Sequence, residues 1–430
     1  MESSLKPSQA VSKRLIPLWL KIAAALCFAL VVVGLPYLDL TRSRSAQSAD
    51  FVACHYVAAT LTATGQTNLL YPTATSASFH NTAFNQAAHR ILPWMNSSLQ
   101  FDEFLYMPLV PRLFVPFSFL APHVALLCWQ AISLAAFLAG TWLAVQRNEK
   151  NLHLWTLLVP FTFFPVLHAL WQGNVSLVFV YLPFAMSFYL LQRGKPFFAG
   201  LVLSLTAMKT QFLLTASLIA LSELLGRRKS TALGLVSGLV LIVALTIGIC
   251  GIDQCSDWFR CLKGSDALYI ESRIAQHFAI GLPRTLVTIP QVLLPAVVRQ
   301  AVYWLCALLA VPPLVLAYRL EKVPLPDSFK IALKYLLFCT LSPLVVPHFF
   351  IYDLSLYVLA GIFLLTAAVP EELADSLKPH LYFLWLATNV YFIVAVRMPS
   401  CAQPLILDVI ILLFVGRLWQ AVGRLSTISK

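Results

Sequence analysis

Isolated polar residues that could do chemistry interrupt an otherwise apolar chain at a few places. The first is Asp50, which follows a long apolar run that ends near residue 38. A carboxylate at a membrane surface among apolar neighbours has a pKa suited to a general base, and an attacking sugar hydroxyl needs such a base. The alternative interpretation of Asp50 is a solvated loop acid.

An aromatic bend and a polar turn come next. Tyr106 lies in the proline-containing segment 104–109, whose default role is to bend the chain. Gln172 and Asn174 follow a tryptophan between two apolar runs. Amides bond to sugar hydroxyls and a tryptophan offers a stacking face, although Gln-Gly-Asn is also ordinary turn chemistry.

Charged residues mark the last two places. Lys209 interrupts what reads as a continuous apolar hairpin, where an ionisable residue is costly and a lipid phosphate is a natural partner. Snorkelling of its ammonium group to the interface is the alternative. His348 and Asp353 fall at the outer end of a late hairpin, where the histidine either donates to a leaving phosphate or is a packed residue.

The elements that position these residues are membrane-spanning helices. Of the 430 residues 59% are hydrophobic and 11% are charged, and mean hydropathy is +0.79, so the bilayer must be the solvent. Apolar stretches of about 17–25 residues recur along the chain, each long enough to cross the hydrocarbon as a helix. The composition predicts an all-α polytopic membrane protein, with residues 1–430 forming one integral membrane domain.

Clusters of Lys and Arg predict the topology, because they favour the cytoplasmic side. They lie at residues 6–14, 147–150, 193–195, 227–229, 319–334 and 417–430. About twelve crossings with both termini inside follow, at residues 16–38, 123–146, 153–170, 175–192, 197–208, 211–226, 231–252, 300–318, 335–347, 350–368, 381–397 and 403–418.

Two long stretches, 39–104 and 253–299, then fall on the outer face as folded interfacial caps. The segment 105–122 must dip into the membrane or lie on it, because a full crossing would invert everything downstream. The placement predicts that cysteines introduced at Thr75 and Asp266 are labelled from outside.

Composition also bears on ligands. The net charge of +12 comes from these topology clusters, so no nucleic-acid partner is expected. The chain contains no phosphate-binding loop of the ATPase kind, and its nine cysteines specify no metal site. Cys255 and Cys261 share one polar loop, where a disulfide is an open alternative in an oxidising compartment.

Taken together and in this order, the motifs resemble the polyprenyl-phosphate-mannose-dependent α-1,2-mannosyltransferases of glycosyltransferase family 87, in the GT-C superfamily. The similarity spans roughly residues 45–230. Trp171 stands where the family usually has glycine. The matching residues are Asp50, Tyr56 and Gly65; Tyr106, Pro108, Leu109 and Pro116; Gln172 and Asn174; and Ala199, Gly200 and Lys209.

The resemblance implies a GT-C-type fold and direct displacement with inversion, with Asp50 as the catalytic base. The implied substrates are a polyprenyl-phosphate-sugar donor and a glycolipid or glycan acceptor, among membrane lipids and without a cofactor. Lys209 is the first choice to neutralise the departing phosphate, with Arg284 or His348 in support. A bacterial plasma membrane with the site facing outward is the implied location. The predicted binding residues are Lys209, His348, Gln172, Asn174, Tyr56, Tyr106, Arg284 and Asp353.

Two alternatives stay open at this point. A lipid or glycan transporter or flippase also needs many helices, but transporters usually show internal repeats and several ionisable groups at the midplane. Lys21 and Asp408 are close enough to helix ends to snorkel, which argues against a proton relay. Another lipid-linked sugar transferase, for arabinofuranose or glucose, would share the fold and differ in the sugar.

Overall fold

The computed structural model describes residues 17–41, 50–71, 82–95, 104–145, 154–271, 280–288, 294–365, 371–397 and 403–425. These residues form helices and connecting turns, with no β-sheet among them. In chain order the main helices are α1 (Leu18–Thr41), α2 (Phe51–Ala63), α3 (Ala83–Ile91), α4 (Leu109–Ser118), α5 (Pro122–Val145), α6 (Leu154–Thr162), α7 (Phe164–Gln172), α8 (Leu177–Gln192), α9 (Pro196–Leu225), α10 (Lys229–Cys250), α11 (Ile252–Glu271), α12 (Leu282–Thr288), α13 (Ala296–Glu321), α14 (Asp327–Val345), α15 (Ile351–Leu364), α16 (Glu371–Arg397) and α17 (Gln403–Leu425).

Several of these helices are long and apolar enough to cross a membrane, which confirms a multi-pass protein. Seven apolar stretches in the described part qualify by length and composition alone, namely α1, α5, α9, α10, α13, α14 and α17, although the helix of α9 is broken at Lys209. The pair α6 and α7, bent by 79°, makes an eighth if it is one broken span. The count of twelve crossings stays a prediction.

The hairpin predicted around Lys209 is visible in the contacts of α9. Just before α9, Gln192 Nε2 donates to the carbonyl of Ser328 (2.9 Å), and near its end Glu223 pairs with Lys334 Nζ (2.8 Å). Both partners lie in the first half of α14, so the chain between them must turn back. Lys209 (φ −127°, ψ 77°) breaks the helical geometry and marks the turn.

A buried ionic cluster closes the end of the bundle where α9 stops and α14 starts. Lys334 Nζ lies 2.8 Å from Glu223 and 2.5 Å from Glu321, and Arg228 bridges Glu223 (3.0 Å) to Asp327 (2.7 Å). The pairing balances charges that are costly to bury alone. Because Lys and Arg clusters lie nearby, the positive-inside rule predicts a cytoplasmic location for this end.

The opposite end of the bundle carries a second hydrophobic cluster, built by α2, α3, α4 and α11. We call these elements the outer cap. With 10 residues, α4 is about 15 Å long and too short to span. It packs on α2, itself only 13 residues long, through Phe51 and Phe114 (ring centroids 5.6 Å apart). Segment 105–122 therefore contains no helix long enough for a full crossing, and its position in or on the membrane stays a prediction.

The second of the two stretches predicted to share the outer face contacts the chain next to the first one, and their common location outside stays a prediction. Trp258 Nε1 on α11 donates to the carbonyl of Leu105 (2.9 Å), directly after stretch 39–104. The same helix contradicts the disulfide alternative, because Cys255 and Cys261 both lie on it. Six residues apart on one helix, they are about 9 Å apart along the axis and cannot pair.

Asp408 corrects another sequence-based expectation. Its side chain is fully buried (0% exposed) on α17 and accepts a hydrogen bond from Thr285 Oγ1 at 2.5 Å, so it does not snorkel. The short helix α12, which belongs to stretch 253–299, packs against α17 and covers the Asp408 side chain.

The topology predicts a labelling pattern at exposed described positions, since Thr75 lies outside the described residues. Cysteines introduced at Gln66 and Ser256, both exposed, should react with a membrane-impermeant maleimide in intact cells. Cysteines at Lys195 and Lys322, exposed at the ionic end, should react only after permeabilisation. Labelling of the unmodified chain, which has nine native cysteines, gives the background signal. Equal labelling of all four positions from outside would contradict the topology.

Candidate active site

Five of the residues predicted from sequence converge at the outer-cap end of the bundle: Asp50, Gln172, Asn174, Lys209 and Asp353. Asn174 Nδ2 donates to Asp50 Oδ2 at 2.6 Å, and the backbone N–H of Asp50 donates to Gln172 Oε1 at 3.0 Å. The polar turn after α7 therefore holds both the carboxylate and the backbone of Asp50. We call these residues, with Ser176, the polar cluster.

Lys209 pairs with Asp353 directly and is connected to Asp50 only through Asn174. Its Nζ donates to Asp353 Oδ1 (2.5 Å) and Ser176 Oγ (2.5 Å), and lies 3.4 Å from Asn174 Oδ1. The side chain is 1% exposed, which excludes the snorkelling interpretation. Because Asn174 Oδ1 faces Lys209, the amide nitrogen must be the atom directed at Asp50.

Ser176 is a member of the cluster that the sequence interpretation missed. Its hydroxyl lies 2.5 Å from Asn174 Oδ1 and 2.6 Å from Asp353 Oδ1, while its backbone N–H donates to Asn174 Oδ1 (2.9 Å). Asn-x-Ser is the spacing of an Asx turn, in which an Asn side chain accepts from the backbone two residues on. This Asn-x-Ser spacing is the sequence signal that could have identified Ser176.

Every charged residue of the cluster lies at a departure from α-helical geometry. Asp50 and Ser176 each immediately precede a π-helical turn, whereas Lys209 and Asp353 lie within 3-10 segments. Such departures re-aim side chains and are frequent at functional sites. Here they occur where the outer cap meets the core of the bundle, since Met208 belongs to the cap cluster and Phe212 to the bundle core.

Gly173 allows the polar turn to approach α2. Its φ of +61° is in the left-handed region, and a Cβ there would lie 2.7 Å from Phe51 Cβ and 2.8 Å from Leu126 Cδ1. Its carbonyl accepts from Trp129 Nε1 (2.8 Å), and the carbonyl of Trp171 accepts from Gln130 Nε2 (3.3 Å). The turn is thus anchored through its backbone, so a tryptophan in place of the usual glycine at position 171 leaves the amides in position.

The environment of Asp50 is suited to proton transfer. Burial raises the pKa of the Asp50 carboxyl above its usual value, and the nearby charge of Asp353 adds to the rise. The hydrogen bond from Asn174 and the charge of Lys209 oppose it. A carboxylate whose pKa is raised is a better base than a solvated one, while the two opposing groups keep an ionised form accessible.

The other predicted binding residues lie apart from the polar cluster. Tyr56 is buried and donates to the carbonyl of Leu120 (3.0 Å), and Tyr106 is half-buried in the outer cap. Arg284 is buried on α12, and His348 is half-buried between α14 and α15. Within the described part of the chain, no hydrogen bond joins any of these four to the polar cluster.

Comparison with known proteins gives a match to one protein family. The model of the family described as Glycosyltransferase family 87 matches residues 104–347, more than half of the 430-residue chain. Neither the curated proteins nor the solved structures return a match. Asn174, Ser176 and Lys209 lie within the matched stretch, whereas Asp50 and Asp353 lie on either side of it.

Proposed function

The chain belongs to glycosyltransferase family 87, and on that premise we propose that it transfers mannose from a polyprenyl-phosphate donor to a glycolipid or glycan acceptor. It is a multi-pass membrane glycosyltransferase. The observation that carries the proposal is the polar cluster, which sets a basic carboxylate beside a buried ammonium group at one end of a helical bundle.

Asp50 acts as the general base in this proposal. Asn174 occupies its Oδ2, whereas no described residue donates to Oδ1, which leaves that oxygen for the acceptor hydroxyl. The acceptor oxygen forms a bond to the anomeric carbon as the bond from that carbon to the phosphate oxygen breaks. The proton passes to Asp50, and the phosphate leaves with the electron pair. One displacement inverts the configuration, so a β-linked donor yields an α-linked product.

Lys209 neutralises the leaving phosphate in this proposal. An ammonium group has three N–H donors, and the Lys209 contact to Asn174, at 3.4 Å, is the longest of its three. A phosphate oxygen replaces that contact at the smallest cost. With Asp50 and Asp353 ionised the cluster carries one net negative charge, which disfavours an anionic donor. The proposed role of Arg284 and His348 is to supply further positive charge or hydrogen bonds as the donor binds.

The remaining parts of the proposal concern architecture and location. The chain adopts a GT-C-type fold with about twelve crossings in a bacterial plasma membrane, and its site faces outward. Support comes from α14, a helix of 19 residues and about 28 Å that starts at the ionic end and ends eight residues before Asp353 of the polar cluster. That length matches the hydrocarbon thickness, which supports locations of the ionic end and the polar cluster towards opposite sides of the membrane.

Product analysis tests the proposed reaction. The purified chain in nanodiscs is given polyprenyl phosphates carrying mannose, glucose or arabinofuranose, together with membrane glycolipid acceptors. We expect mannose transfer, with the α configuration established by NMR of the isolated product. A β-linked product would overturn direct displacement. Transfer of only glucose or only arabinofuranose would mean that the donor sugar is not mannose. Absence of transfer from every lipid-linked sugar, with a folded protein, would overturn the proposal.

A further inference from the structure

His55 is a fully buried histidine without a hydrogen-bond partner. Its side chain is 0% exposed, and neither Nδ1 nor Nε2 meets a donor or acceptor among the described residues. Aromatic rings surround it: the centroid of its ring lies 4.6 Å from Tyr106, 4.9 Å from Phe114, 5.9 Å from Phe104 and 6.3 Å from Phe51. We call these four rings the aromatic cage.

The π-helical turn of α2 places His55 close to Asp50. Asp50 immediately precedes the π-helical residues Phe51–Tyr56, and His55 follows it by five residues, which is the hydrogen-bond spacing of a π-helix. In an α-helix a residue five positions on lies about 140° around the axis, whereas the wider π turn brings it back towards the first residue.

Electrostatics agrees with this placement. Burial lowers the pKa of His55 to about 3, and the positive charge of Lys209 contributes to the shift. The imidazole is therefore neutral at physiological pH and lies within electrostatic reach of the polar cluster. A neutral imidazole has one N–H donor and one nitrogen acceptor, which here both lack a partner.

An imidazole in this cage costs stability. A phenyl ring would fill the same space without leaving two buried polar atoms unpaired, and unpaired buried polar groups are unfavourable. Residues that reduce stability without a structural benefit are concentrated at functional sites. The cost therefore points to a ligand that completes the hydrogen bonds of His55.

We propose that His55 binds the acceptor sugar through a hydroxyl next to the one that reacts. A sugar hydroxyl both donates and accepts, which matches the two nitrogens, and aromatic rings suit the apolar face of a sugar. With one hydroxyl at Asp50, a neighbouring hydroxyl of the same sugar is directed along α2 towards His55. The inference rests on the proposed function, because it takes Asp50 as the base.

Entry of the sugar requires the cage to open on the side of Tyr106, which is half-buried. Residues 104–106 form no helix and are tethered by side chains of the outer cap. Tyr71 Oη donates to the carbonyl of Tyr106 (2.9 Å), and Trp258 Nε1 to that of Leu105 (2.9 Å). Two rings of the aromatic cage, Phe51 and Phe114, lie on helices α2 and α4, so the non-helical segment with Tyr106 is the part of the cage that moves in this proposal.

Substitution of His55 separates a binding role from a packing role, because the two predict opposite changes in stability. His55→Phe should raise Tm by about 1–4 °C and raise the acceptor KM by about 3- to 10-fold, with the donor KM unchanged. His55→Gln keeps a donor and an acceptor and should recover most of the acceptor KM. Phe84→His is the matched control: this buried cap residue should lower Tm when it becomes an unpartnered imidazole.

Opposite results would overturn the inference. If His55→Phe lowers Tm and leaves the acceptor KM at its wild-type value, His55 is a packing residue. If the donor KM rises instead, the hydroxyl does not belong to the acceptor. Where the wild type transfers no sugar, the proposed function fails, and octyl α-mannopyranoside then tests His55 directly. A rise in wild-type Tm with this probe that His55→Phe abolishes supports sugar binding, and no rise contradicts it.

Discussion

Asp50→Asn is expected to slow the chemical step of sugar transfer by about 10²–10⁴-fold. The asparagine oxygen can still accept from Asn174, so the polar cluster keeps its geometry, but the amide cannot take a proton at neutral pH. Donor affinity should change little or improve, because the substitution removes one negative charge from the cluster.

The measurement is transfer from polyprenyl-phosphate-mannose in nanodiscs, alongside donor binding and thermal stability. Asp253→Asn is a matched control, since this exposed acid of the outer cap loses the same charge away from the cluster. If Asp50→Asn keeps wild-type turnover at equal stability, the carboxylate is not the base. If neither form binds a lipid-linked sugar, the transporter alternative becomes the better interpretation.

Lys209→Met should reduce donor binding or turnover by a factor of about 10 or more, in line with charge-assisted contacts of about 1.5–3 kcal/mol. The substitution also affects folding, because Lys209 pairs with the buried carboxylate of Asp353. Removal of one partner leaves a buried carboxylate without a counter-charge, which costs about 3–5 kcal/mol. Tm should therefore fall as well.

A double variant separates the two effects. Lys209→Met with Asp353→Asn removes both charges and should restore most of the lost stability. Donor kinetics that stay about 10-fold impaired then support a contact with the phosphate, whereas full recovery would reduce Lys209 to a counter-ion for Asp353. Lys334→Met is the matched control: Lys334 is equally buried, at the ionic end, so Tm should fall while the donor KM stays unchanged.

Local sequence patterns predicted much of the helical arrangement. The turn at Lys209 follows from an isolated charge and the short length of α4 from its prolines, both of which act within a few residues. Expectations that depended on distant surroundings were less successful. Asp408 is buried by α12, and one helix holds Cys255 and Cys261 apart.

Two residues of the site region, Ser176 and His55, did not stand out in the sequence for a physical reason. The Asn-x-Ser spacing that includes Ser176 is ordinary turn chemistry, so only its contacts with Lys209 and Asp353 distinguish this serine. A lone histidine in an apolar run is usually a packed residue. His55 differs because both of its nitrogens lack partners, and burial of that kind depends on rings contributed by other segments.

The sequence by itself determined that the chain crosses the bilayer several times and which polar residues are exceptional within its apolar segments. Bilayer thickness sets helix length, and the cost of burying a charge makes an isolated polar residue conspicuous. Only the tertiary structure decided which of these residues share a site. Asp50 meets Asn174 across 124 positions and Lys209 meets Asp353 across 144, whereas Arg284 and His348 make no hydrogen bond to the polar cluster among the described residues. Such pairings depend on how whole helices pack, and no local pattern encodes them.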